Sequence, residues 1–92
     1  MTRVEFRTNF MAILEKADII NENIAFIEVR AELSTAKREN GMIFDVISVR
    51  VQQYKKTTHF FNLHSSFRSD TDQIKDIFVL LDGFIEGIKE VI

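Results

Sequence analysis

The sequence predicts an α+β domain in which an antiparallel meander of three strands carries an N-terminal helix and a long C-terminal amphipathic helix on one face. A fourth strand is added if the N-terminal segment pairs with the sheet. Three observations predict this. Residues 69–92 repeat apolar side chains with a helical period. Residues from Ile24 onward alternate with a period of two. Asn40-Gly41 sits between two such alternating stretches as a hairpin turn would.

Taken in order, Val4 and Phe6 alternate with Arg3, Glu5 and Arg7, which predicts a short strand or an extended arm. Asn9 then caps a helix from Phe10 to about Ile20, with Phe10, Ile13, Leu14 and Ala17 on one face, and Asn21-Glu22-Asn23 ends it. From Ile24, Ala25, Ile27, Val29, Ala31 and Leu33 point one way while Glu28, Arg30 and Glu32 point the other, a strand with one wet face.

The second strand changes phase. Met42, Phe44 and Val46 are apolar at even positions, and Ile47, Val49 and Val51 at odd ones. A two-residue turn at Asn40-Gly41 would set Leu33 opposite Ser48 and Ala31 opposite Arg50, with polar groups on the core side. One extra residue near Val46-Ile47 restores Leu33 to Ile47 and Ala31 to Val49, so a β-bulge is expected there; an odd-numbered longer loop gives the same pairing. A third strand spans about Thr57 to Phe67, and Asp70 with Gln73 forms the capping pair of the last helix.

In that helix Ile74, Phe78, Leu81, Ile85, Ile88 and Ile92 form a stripe that Ile77, Phe84 and Val91 widen. Val79 and Leu80 fall outside it, so the helix has more apolar surface than one contact face uses. Gly83 and Gly87 lie four apart in the helix interior, where each costs about 1 kcal/mol relative to alanine. That spacing puts both on one ridge with Val79, where another backbone can approach closely. Val79, Leu80, Gly83 and Gly87 are therefore the candidate partner-binding residues.

The 92 residues predict one compact domain, 46% hydrophobic with nine Phe, and self-association is a common way for so small a chain to bury surplus apolar surface. There is no cysteine, which removes disulfides and thiolate chemistry and fits a reducing, cytoplasmic setting. Arg3, Glu5 and Arg7 interrupt any signal-peptide run, and the five apolar residues Ile77 to Leu81 fall far short of the roughly 20 that span a bilayer, so no membrane role is expected. Net charge is −2 but uneven: residues 30–68 carry seven basic and three acidic groups, residues 69–92 two basic and six acidic.

The basic middle suggests a second site. The solvent side of the sheet would carry Arg30, Arg50, Tyr54 and Phe60 beside Ser48, Gln52, Asn62 and His64, and aromatics interleaved with cations can stack and neutralise single-stranded nucleic acid. Against that, Phe26, Glu28 and Glu32 share the face. No catalytic, metal, cofactor or small-molecule site is expected. His59 and His64 point to opposite faces, His64-Ser65-Ser66 lacks an identifiable carboxylate, and Asp70-Thr71-Asp72 lacks the later ligands of a calcium loop.

The order helix, three strands, helix resembles that of double-stranded RNA-binding domains. Those grip phosphate with a basic start to their last helix, whereas here that turn carries Asp70, Asp72 and Asp76, which would repel it. The meander followed by a helix is also similar to SecB-like export chaperones, which makes a chaperone module a further alternative. The leading expectation is a non-enzymatic, homodimeric interaction module, an adaptor, regulator or inhibitor acting by protein contact; single-stranded nucleic-acid binding is the rival.

Overall fold

A computed structural model of the chain describes residues 1–91, with side chains through Ile88; the stripe positions Val91 (its side chain) and Ile92 lie outside the described residues. The elements are α1 (Arg3–Asn23), β1 (Ile27–Lys37), β2 (Ile43–Gln53), β3 (Lys56–His64), a single turn α2 (Arg68–Thr71) and α3 (Ile74–Val91). The sheet is antiparallel in the order β1-β2-β3, with the helices on one side.

The N-terminal segment is helical from Arg3, which replaces the expected strand or arm, so the sheet has the three expected strands and no fourth from this segment. The cap is Thr2, not Asn9. The Thr2 hydroxyl accepts from the Glu5 N–H at 3.1 Å, and the Thr2 N–H donates to Glu5 Oε1 at 3.2 Å, a reciprocal capping box. Asn9 lies inside the helix and donates to the Glu5 carbonyl. Phe6, Phe10, Ile13, Ala17 and Ile20 then fall on one buried stripe. At the other end Asn21 clamps β1, its side chain donating to the Val29 carbonyl and accepting from the Val29 N–H, both at 2.8 Å. This covers both backbone polar groups of one residue on an edge strand that would otherwise stay open there.

The apolar pattern fixes the register: Leu33 pairs with Ile47 and Ala31 with Val49. No bulge near Val46-Ile47 is needed, however. Residues 38–42 form a five-residue connection, so β1 and β2 pair without a shift from Lys37–Ile43 to Ile27–Gln53. The Gly41 N–H donates to the Arg38 carbonyl, and Gly41 takes φ 85°, the left-handed conformation that only glycine adopts cheaply. The bulge lies instead in β3. Val51 pairs with His59 and Gln52 with Thr57, leaving Thr58 unpaired, with its hydroxyl accepting from Gln53 Nε2 at 3.0 Å.

The β2–β3 turn is the two-residue loop Tyr54-Lys55, with φ 52° and 67°; two positive angles match the strand twist of a type I′ hairpin. Neither residue is glycine, so each carries about 1 kcal/mol of backbone strain. Lys55→Gly is expected to raise the unfolding free energy by about 1 kcal/mol, read by chemical denaturation; an unchanged midpoint would place the strain elsewhere.

Odd positions of the strands face the helices. Ile27, Val29, Ile47, Val49, Val51 and Leu63 pack with the α1 stripe and with Ile74, Ile77 and Leu81 of α3. Lys16 of α1 ties the helices together through Asp82 at 2.6 Å. The expected helix start at Ser69 is broken into α2 and α3, and the Asp70–Gln73 capping pair does not form. Asp70 accepts instead from the His64 N–H at 2.9 Å, fastening the turn to the end of β3, and Gln73 Nε2 donates to the Ser69 carbonyl. The third strand therefore stops at His64 rather than Phe67.

Candidate functional site

Burial along α3 is deepest at Ile74, Ile77 and Leu81 and fades toward Phe84, Ile85 and Ile88, which are only half-buried. The distal half of the helix thus runs past the core with apolar side chains still to cover. Val79, Gly83 and Gly87 form an exposed ridge, with Val79 73% accessible. Leu80 does not belong to it, because it is half-buried against the core. Beyond its own stretch of helix, a Cβ at Gly83 or at Gly87 would meet none of the described atoms within 4 Å. Among the described residues nothing therefore needs glycine at either place, and neither has positive φ. Beside the ridge lies an apolar cavity of about 600 Å³ between Gly83, Phe84, Gly87 and Ile88 of α3 and the segment Ile24–Ile27.

The even-numbered face of the sheet is open. Arg30 and Arg50 sit directly opposite each other on β1 and β2, and Arg50 lies opposite Phe60 on β3. The Arg50 guanidinium stands 5.7 Å over the Phe60 ring, which is 56% accessible. Three of the four residues expected on this face thus form one cluster. Tyr54, the fourth, stands at the hairpin tip, stacked on Phe26 with centroids 4.8 Å apart.

Beyond what the sequence suggested, the opposite end of the same face holds a stack in which the His64 ring lies between Phe44 at 3.9 Å and Phe67 at 4.3 Å. Arg38 reaches over both phenylalanines at 5.4 and 5.5 Å. His64 Nδ1 accepts from the Ser66 N–H at 3.2 Å and shares a hydrogen bond with the Ser66 hydroxyl at 2.7 Å. A serine hydrogen-bonded to an imidazole has the outline of a nucleophile and its base, yet Asp70 accepts from the His64 backbone rather than from the ring.

A buried ionic centre holds the hairpin end together and was not legible in the sequence. Asp45, fully buried on the inner face, accepts two hydrogen bonds from Arg3 and two from Arg7 at 3.1–3.2 Å and one from Thr35 at 2.8 Å. Its own N–H donates to the Ser65 hydroxyl. The bond from Arg3 first, then those from Arg7 and Thr35, hold the Asp45 carboxyl well below the usual carboxylate range, against the burial that pushes it up. This is a structural centre, because every acceptor direction is filled from within the chain.

Comparison with protein-family models, with curated proteins and with solved structures finds no match to this chain. The fold is α+β, and no helix among the described residues is long and apolar enough to cross a membrane.

Proposed function

We propose that the chain is a non-enzymatic interaction module that works as a homodimer through the exposed ridge of α3. The observation that carries this reading is the open space around Gly83 and Gly87. Two helix-interior glycines together cost about 2 kcal/mol relative to alanine, and no contact among the described residues requires them. A close approach from outside accounts for that expense. The ridge is also self-complementary. Val79 and Gly87 lie four residues on either side of Gly83, so a second α3 crossing antiparallel at Gly83 sets each Val79 against the second copy's Gly87. A protruding side chain meets a notch twice in one two-fold contact.

The flanks of the ridge are acidic, with Asp76 and Glu86 on either side of Gly83. Two copies bring these flanks together, and added salt screens the repulsion. The dimer is therefore expected to tighten modestly as ionic strength rises, the opposite of an interface held by ion pairs.

Gly83→Leu tests the reading, since a Cβ at this position has open space among the described residues, and circular dichroism checks that the monomer fold is kept. Sedimentation equilibrium is expected to show association weakened at least about tenfold, with the far-UV circular dichroism of the wild type. Association equal to the wild type would remove the glycine ridge from the interface.

A further inference from the structure

We propose that the outer face of the sheet binds single-stranded nucleic acid along the columns of β2 and β3. This site is separate from the α3 ridge, which lies on the helical side of the sheet, so dimerisation leaves it open.

The proposal rests on how charge and aromatic rings are distributed over that face. Its carboxylates are confined to the β1 column, where Glu28 and Glu32 flank Arg30 and Glu28 pairs with it at 2.9 Å. The adjoining columns present Phe44, Val46, Ser48, Arg50 and Gln52 on β2, and Phe60, Asn62 and His64 on β3, with no acid among them. The acidic balance of the whole chain comes from residues 69–92, and most of those lie in helices behind the sheet. A polyanion laid along β2 and β3 meets Arg50, with Arg30 beside it and Arg38 at the far end, and passes Glu32 only at the β1 border of the cleft that Arg30, Arg50 and Phe60 line.

Aromatic faces recur along the same track. Tyr54 on Phe26 stands at one end, Phe60 in the middle, and Phe67 on His64 at the other, with Tyr54 72%, Phe60 56% and Phe67 48% accessible. Phe60 and His64, four residues apart on β3, are separated by about 13 Å. Between these stations the surface is small and polar, Ser48 donating to Asn62 at 3.2 Å. Planar stations separated by polar ground suit bases that stack at intervals along an extended backbone. An acidic peptide would satisfy the arginines but bring no planar groups, and a duplex hides the faces of its bases.

Fluorescence anisotropy with labelled oligothymidylate and oligouridylate of about ten nucleotides tests this on the full chain, with a duplex of equal length and polyglutamate as comparators. Saturable binding at low salt is expected, with a log–log salt slope of about −2 for three arginine contacts. Phe60→Ala is expected to weaken it about tenfold and Phe60→Tyr to retain it; Arg50→Glu is expected to weaken it about tenfold and flatten the salt slope. These positions are exposed, and circular dichroism checks that the variants fold. The proposal is overturned by no binding at low salt, by Phe60→Ala binding as the wild type does, or by duplex or polyglutamate binding as tightly as the single strands.

Discussion

Asp45→Asn is expected to lower the unfolding free energy by about 2–4 kcal/mol. The Asp45 carboxylate is fully buried and accepts five hydrogen bonds, four of them from the guanidinium groups of Arg3 and Arg7. An asparagine there would turn an N–H₂ toward donors and would carry no charge to balance the two arginines. Breaking a buried pair costs about 3–5 kcal/mol. The loss is smaller here because Arg3 and Arg7 are 41% and 49% accessible and recover water when released. In a chain of this size the melting temperature should fall by about 10 °C or more.

The same centre fixes the acid limb of stability. The carboxyl is held below its unfolded value, so its contribution is complete above about pH 4 and is lost progressively as pH falls further. Wild-type stability is expected to drop steeply below about pH 4, whereas Asp45→Asn shows a shallower drop over that window. Denaturant midpoints at successive pH values check both statements; parallel acid limbs in the two proteins would show that another carboxylate is responsible.

Phe6→Ala is expected to cost about 3–5 kcal/mol, the usual range for removing a buried phenylalanine. Phe6 is fully buried at the start of the α1 stripe, one helical turn before Phe10. Were residues 2–8 an extended arm at the surface, the same change would cost well under 1 kcal/mol, as surface substitutions do. Val4→Ala serves as the control: Val4 is 75% accessible on the opposite side of the helix, and its replacement should be nearly neutral. Chemical denaturation of the two variants separates the alternatives by several kcal/mol.

Much of the fold was legible because it depends on local period. The odd-numbered run Ile47, Val49, Val51 specified both its buried face and its partners Leu33 and Ala31, even though loop length rather than a bulge sets the register. The α1 start is ambiguous in the sequence because five residues are too few to separate the two periods. Val4 and Phe6 alternate with charges, yet Phe6 is also four before Phe10, and Thr2 with Glu5 spelled the capping signal that decides between them. The Tyr54-Lys55 turn gave no glycine or asparagine to announce positive φ. Asp45 was invisible for a different reason, since its partners lie 38 and 42 residues away and only the packing of α1 on the sheet brings them in.

For the candidate sites, the cluster of Arg30, Arg50 and Phe60 followed from strand alternation alone, whereas the Phe44–His64–Phe67 stack needed the β2–β3 register and the turn after β3. On α3, helical spacing marks the ridge of Val79, Gly83 and Gly87 but adds Leu80 to the contact surface, because periodicity does not show where the neighbouring helix ends its cover.

The mass of the protein in solution tests the interaction reading most directly. Light scattering on a sizing column, across about a tenfold range of concentration, is expected to give twice the 10.7 kDa of one chain, with the dimer persisting to lower concentration as salt is raised. A mass of one chain at every concentration and salt would contradict self-association through α3 and leave its glycine ridge without the contact proposed for it.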